Sequence, residues 1–176
     1  MTPKKIKTPL TAEIIEGLQA EDHVLLSGVV FTARDAAHKR MIEILSRGLP
    51  LPFDIRGQAV YYTGPCPAPL GRIIGSAGPT TSGRMDIYTP RLIEEGLRVM
   101  IGKGNRSEKV TGAICRYKAV YLAAVGGAGA LLSLQVEEAE IIAFEDLGTE
   151  AVYKLTLRDM PLVVAIDCQG GNIYAR

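Results

Sequence analysis

Apolar runs and amphipathic segments alternate along most of this chain, and the alternation restricts the folds open to it. Residues 24–32 are apolar and contain Val29-Val30-Phe31, the pattern of a strand buried on both faces. Residues 33–48 follow with Ala37, Met41, Ile44 and Leu45 on one helical face and Gly48 as a stop. The pairing recurs with a strand at 57–63, then a helix capped by Thr89, with Pro90 first inside it and Gly96 ending it. A strand at 97–101, a short helix at 107–115 and a strand at 120–125 continue the series. Ahead of it, Thr11 is a good N-cap for a short helix carrying Ile14, Ile15 and Leu18. Behind it, residues 127–134 read as a small buried helix, and strands follow at 141–144, 151–157 and 162–166, the last begun by Pro161. Alternation followed by clustered strands favours a three-layer α/β arrangement with mixed sheets over a simple doubly wound sheet. The length suits one domain spanning residues 1–176, with 1–9 as a tail or edge segment.

Charge and composition exclude several classes of function. A formal net charge of +1 gives no field for nucleic acid or an anionic membrane. Aromatics are 6% and tryptophan is absent, so nothing resembles a stacking platform for bases. The longest apolar run, 120–134, is broken by glycines and is shorter than the ~20 residues of a spanning helix. The N-terminal lysines are not followed by an apolar signal core, and the expected location is cytoplasmic. Cys66, Cys115 and Cys168 are widely spaced without a C-x-x-C, and His23 and His38 lie far apart. No metal site complete within the chain is expected.

Three polar groups look misplaced for packing. The first is Gly78-Pro79-Thr80-Thr81-Ser82-Gly83-Arg84-Met85-Asp86, which places glycines, hydroxyls, a guanidinium and a carboxylate in one turn-like stretch. Glycines let a backbone approach a ligand, and an arginine fork suits a carboxylate or phosphate. These residues alone fit an anion-binding loop and a polar surface turn alike. The second group is Arg34, Asp35 and His38, which share one patch at a helix start and could equally be a solvated first turn. The third is Gly102-Lys103-Gly104-Asn105-Arg106, which fits neither the P-loop nor the dinucleotide pattern. Each group flanks a predicted strand, as loops at one edge of a sheet do. Three cations on three loops suit a small dianion such as a dicarboxylate. A threonine hydroxyl near it could bind or move a proton, given a strong field or a nearby base. With no cofactor fingerprint and no nucleophile motif, the chain reads as a binding half and not a whole catalyst.

Gly78 through Asp86, followed by Gly102-Lys103-Gly104-Asn105-Arg106-Ser107, resembles the C-terminal domain of class I iron–sulfur fumarate hydratases, a separate beta subunit in two-subunit forms. Gly28 through Phe31 with Ala33-Arg34-Asp35-Ala36-Ala37-His38, Gly64-Pro65, and Asp146 through Lys154 are similar to further segments of that family. The resemblance implies a swivelling β/β/α domain and an active site shared with an alpha subunit that carries a [4Fe-4S] cluster. This chain's cysteines do not match the cluster ligands. By the same resemblance Thr80 moves the proton on carbon, and Arg34, Arg84 and Lys103 hold the dicarboxylate. Asp35, His38, Thr81 and Asp86 are supporting, the ionisable ones orienting the neighbouring arginines. The implied activity is reversible hydration of fumarate to (S)-malate. L-tartrate dehydratase and mesaconate hydratase beta subunits, and a non-catalytic dicarboxylate-binding module, are the alternatives. The family arrangement is two alpha with two beta chains, and isolated beta chains could self-associate.

Overall fold

The computed structural model describes residues 2–175. Its strands are β1 (Lys4–Lys7), β2 (His23–Thr32), β3 (Ala59–Tyr61), β4 (Val99–Gly102), β5 (Val120–Ala123), β6 (Val136–Ala143) and β7 (Val152–Ile166). Its helices are α1 (Ala12–Glu16), α2 (Asp35–Ser46), α3 (Thr89–Glu94), α4 (Glu108–Tyr117) and α5 (Gly129–Ser133), with 3-10 turns at Ser82–Met85 and Glu145–Glu150. Neighbouring strands β1 to β5 pair in parallel, and three of the crossovers carry α2, α3 and α4. The chain then reverses, and β7 runs antiparallel to β2, β5 and β6. Because β7 pairs with β2 on one edge and with β5 on the other, β2-β3-β4-β5-β7 closes into a five-stranded mixed barrel. The segment at 1–9 supplies the edge strand β1, and β6 extends the sheet beside β7.

The closed sheet separates two cores, and the period-2 alternation of the strands decides which side chain enters each. Ala59, Tyr61, Val99, Ile101, Val120 and Leu122 fill the barrel interior with Leu155 and Val164 of β7. The residues between them, Val60, Tyr62, Met100 and Tyr121, face outward against Met41 of α2, Leu92 of α3 and Ile114 of α4. Strands buried on both faces need near-continuous apolar sequence, as 97–101 and 120–125 have. Each large apolar side chain so buried contributes roughly 1.5–3 kcal/mol. The α/β class and mixed strands thus stand as expected, with the layers joined by closure instead of lying in separate sheets.

Several element boundaries depart from the sequence reading. The strands expected at 151–157 and 162–166 are one, β7. Pro161 lies inside it because β6 pairs only up to Leu157 and β5 only from Val163, so one edge of the ladder is interrupted around the proline. β6 begins at Val136, earlier than expected, since its glutamates mask an edge strand whose exposed face tolerates charge. Thr89 does not cap α3; Tyr88 holds that position. The Thr89 hydroxyl is buried and donates instead to the Met85 carbonyl. Thr11 and Ser107 cap α1 and α4 by accepting from the Ile14 and Val110 amides. Of the three cysteines, Cys168 is buried, Cys115 is half-buried and Cys66 is exposed. Among the described residues no helix is long and apolar enough to cross a membrane.

Candidate functional site

The loops after β2, β3 and β4 meet at the carboxyl edge of the parallel strands, where open α/β sheets commonly bind ligands. The loop after β3 is the longest and is pinned where it returns. Tyr61 donates its hydroxyl to the Ala77 carbonyl, Thr63 donates to the Gly78 carbonyl at 2.7 Å, and the Thr80 amide donates to the Tyr62 carbonyl at 2.7 Å. Thr81 then bridges to Lys103 in parallel, and the Ser82 amide donates to the Lys103 carbonyl at 2.9 Å. Gly102 is necessary here, because a Cβ at that position would meet the Ser82 side chain and the Tyr62 ring. The Thr80–Thr81 stretch is therefore sheet-like backbone, and the 3-10 turn that follows swings Arg84 back over it.

Arg84 is the hub of the resulting cluster. Its Nη2 donates to Thr80 Oγ1 at 2.6 Å, and its Nε lies 3.3 Å from Asp35 Oδ1. Arg34 Nη2 reaches the other oxygen of Asp35 at 3.8 Å and Glu150 Oε1 at 3.3 Å. Both arginines thus converge on one carboxylate from different loops. Arg34 Nε and Asp35 Oδ2 are buried without a hydrogen-bond partner, so the cluster has unused polar capacity. Thr80 accepts from Arg84, which leaves its own hydroxyl proton free, and an adjacent cation favours the alkoxide form of such a hydroxyl.

Lys103 has no carboxylate partner among the described residues. Its stem crosses Gly126, where a Cβ would stand 3.4 Å from Lys103 Cδ. Thr81 takes part through its backbone bridge and is exposed.

His38 and Asp86 work beneath this surface. His38 is fully buried, and its Nδ1–H donates to the Arg34 carbonyl at 2.8 Å. Burial pushes its pKa down to about 4, opposed by that hydrogen bond and helped by the positive charge of Arg106, so the ring is neutral near pH 7. Asp86 meets Arg106, not Arg84: its Oδ1 accepts from Arg106 Nε at 2.6 Å and its Oδ2 from the Ser107 amide. Arg106 also donates to Thr89 Oγ1 at 2.9 Å and lies against the rings of Tyr62 and Tyr121. Arg106 is therefore a buried anchor for the 102–107 turn, and the cations that solvent reaches are Arg34 and Lys103, half-buried, and Arg84, exposed. The Tyr121 hydroxyl, donating to the Gly104 carbonyl at 2.9 Å, fixes the same turn.

One residue of the cluster was given no role by the sequence, although it lies within the 146–154 segment of the resemblance. Glu150 accepts from the Ala36 amide at 3.1 Å and pairs with Arg34, although it lies 114 positions from Ala36. No local pattern signals a contact of that range. Among the described residues no group of three His, Cys, Asp or Glu side chains could hold a metal ion.

A model of the family described as "Fumarase C-terminus" matches residues 3–176. The anaerobic class I fumarate hydratase of Escherichia coli K12 is 38% identical over 151 residues, 85% of this chain and 28% of that protein. The mitochondrial fumarate hydratase 1 of Leishmania major is 40% identical over 151 residues, again 85% of this chain and 28% of that protein. The L(+)-tartrate dehydratase subunit beta of Escherichia coli K12 is 32% identical over 177 residues, 98% of this chain and 87% of that subunit. The chain thus spans little more than a quarter of those fumarate hydratases and most of the tartrate dehydratase subunit. With nearly every residue inside the match and the glycine-flanked loops of the sequence brought to one edge of the barrel, the chain belongs to the fumarase C-terminus family.

Proposed function

We propose that this chain is the beta subunit of a two-subunit hydro-lyase that adds water reversibly to fumarate, giving (S)-malate. It supplies the dicarboxylate-holding and proton-transfer half of the site. The observation that carries the reading is the Arg84 cluster: two guanidiniums on one carboxylate, with the Thr80 hydroxyl 2.6 Å from Arg84 Nη2. Arg84, Arg34 and Lys103 hold the substrate carboxylates by charge-assisted hydrogen bonds, and fixing the diacid against them lowers the barrier by orientation. Thr80 moves the proton at the carbon next to a carboxylate. The Arg84 cation beside its oxygen supplies the field that an isolated threonine lacks. Asp35 keeps the two guanidiniums at a fixed separation before substrate arrives.

The residues present do not fit a [4Fe-4S] cluster. Its three thiolates would have to come from Cys66, Cys115 and Cys168, which are respectively exposed, half-buried and buried, and no ligand group forms. The reading therefore assigns the cluster to a partner alpha subunit, in line with the word "subunit" in the names of the tartrate dehydratase relatives. When bound there, such a cluster supplies a Lewis acid for the substrate hydroxyl.

A second reading has its own observation: the end-to-end match to the L(+)-tartrate dehydratase beta subunit, against a partial match to the fumarate hydratases. The deciding experiment is co-expression with a three-cysteine alpha subunit, anaerobic cluster reconstitution, and assay with fumarate, L(+)-tartrate and mesaconate. Turnover of fumarate is expected. Turnover of tartrate alone would replace the substrate, and no turnover of any diacid would leave only a non-catalytic binding role.

A further inference from the structure

Helix α2 begins with an anomaly. Its N-cap residue is Arg34, which has no side-chain oxygen and makes no capping hydrogen bond, although serine, threonine, asparagine or aspartate is preferred there. The missing acceptor comes from far along the chain. Glu150 Oε2 accepts from the Ala36 amide at 3.1 Å, the place an N-cap oxygen normally serves. The other oxygen of the same carboxylate lies 3.3 Å from Arg34 Nη2. One side chain therefore caps the helix and holds the arginine that displaced the ordinary cap.

The segment carrying Glu150 is fastened to the same strand end as Arg34. Thr32 Oγ1 donates to the Ala151 carbonyl at 3.3 Å and accepts from the Tyr153 amide at 3.0 Å, two positions before Arg34 and one after Glu150. Farther out, Arg40 of α2 forms paired hydrogen bonds to Asp146 at 2.7 and 2.8 Å and lies over the Phe144 ring. Residues 144–151 thus form a strap along the first turns of α2. The Arg34 stem passes Gly64, where a Cβ would stand 3.1 Å from Arg34 Cδ and 2.8 Å from the Thr149 carbonyl oxygen. Glu150 is also less exposed than Asp35, 23% against 38%, so it is the more firmly held of the two carboxylates on Arg34.

We propose that Glu150 is a positioning residue for the substrate-binding arginine, aiming Arg34 at one carboxylate of the diacid while replacing the N-cap that Arg34 cannot provide. This rests on the dicarboxylate reading of the site. Glutamine at 150 keeps an oxygen for the Ala36 amide and loses the charge that orients Arg34, so Glu150→Gln separates positioning from folding.

Two measurements test it. In the purified chain, the Arg34 Nε–Hε pair is followed by nitrogen-15 relaxation. Its heteronuclear NOE should be high in the native chain and fall in E150Q toward that of the exposed Arg47; an unchanged value overturns the proposal. In the reconstituted complex, E150Q should raise KM for the diacid about five-fold, as loss of a part-buried ion pair worth about 1 kcal/mol does, with kcat within about two-fold. On an Arg34→Lys background the same substitution should add less than about two-fold, because the effect runs through Arg34. Independent, multiplying effects, or an unchanged KM in an active complex, overturn the proposal. A native complex inactive on every diacid would instead overturn the functional reading, with the Arg34–Glu150 coupling still decided by the relaxation data.

Discussion

Replacing Asp86 by alanine should destabilise the chain by about 3 kcal/mol, near the lower end for breaking one side of a buried ion pair. The Arg106 side chain is 0% exposed and that of Asp86 10%, so the surviving guanidinium would face a dry environment. It would keep the Thr89 hydroxyl at 2.9 Å, the Tyr62 hydroxyl at 3.3 Å and two aromatic faces, which is why the upper end of the range is not reached. The Ser107 amide would lose its acceptor as well. At roughly 2–4 °C per kcal/mol for a domain of this size, Tm falls by about 6–12 °C. Differential scanning calorimetry of the purified chain measures it. The double variant D86A/R106M removes the stranded charge and should recover part of the loss. A fall under about 2 °C, or a double variant no more stable than D86A, would refute the claim that this pair is buried and mutually dependent.

The remaining expectations concern the site and its pH dependence. In the reconstituted complex Thr80→Ala should lower kcat about 10²–10⁴-fold, the range for losing a positioned proton-transfer group, with KM little changed. Arg84→Ala should raise KM and also lower kcat, because Arg84 both binds and donates to Thr80; steady-state kinetics on fumarate separates the two effects. His38 has a folded pKa of about 4 against an ordinary 6.5, so the unfolded chain binds its proton first as pH falls. Its contribution is fully present above pH 6.5 and is lost between 6.5 and 4, up to about 3 kcal/mol. Denaturant titrations across that window should show a loss of stability that flattens in His38→Asn. Glu150→Gln should separate KM from kcat as set out above.

Much of the fold was legible because the strands β4 and β5 are buried on both faces and so carry unbroken apolar runs. Helix stops such as Gly48 and caps such as Thr11 are local and were readable as well, whereas Ser107, read as the first residue of its helix, is the cap. Barrel closure was not, since it depends on β7 pairing with β2, where the Asp159 amide donates to the Ser27 hydroxyl across 132 positions, and no local pattern encodes that distance. The same limit governs the site. Thr80, Arg84, Arg34 and Lys103 stood out as polar residues beside strand ends, where packing gives them no reason to be. Glu150 and the true partner of Asp86 depended on tertiary contacts. Arg106 misled for a chemical reason: a glycine-flanked basic turn looks solvent-facing, yet its arginine turns inward onto Asp86, Thr89 and two tyrosine rings.

The charges at the strand edge do not close for a dianion. Arg34 and Arg84 pair with Asp35 and Glu150, and Lys103, without a carboxylate partner among the described residues, leaves one positive charge over. A dicarboxylate brings two negative charges. Its first carboxylate can be met by Lys103 with Arg84. The second either displaces a resident carboxylate or needs a further cation. Glu150 is costly to displace, because the Ala36 amide would lose its acceptor at the start of α2. Asp35 is easier to move, since its links are ion pairs of 3.3 and 3.8 Å on a side chain 38% exposed, and its Oδ2 makes no hydrogen bond. Even then the deficit would only be cancelled, with nothing left to stabilise the negative charge that builds up when a proton leaves carbon. If the substrate is a dicarboxylate, the further positive charge would have to come from outside these residues, which is the electrostatic argument for proposing the edge as half of a site.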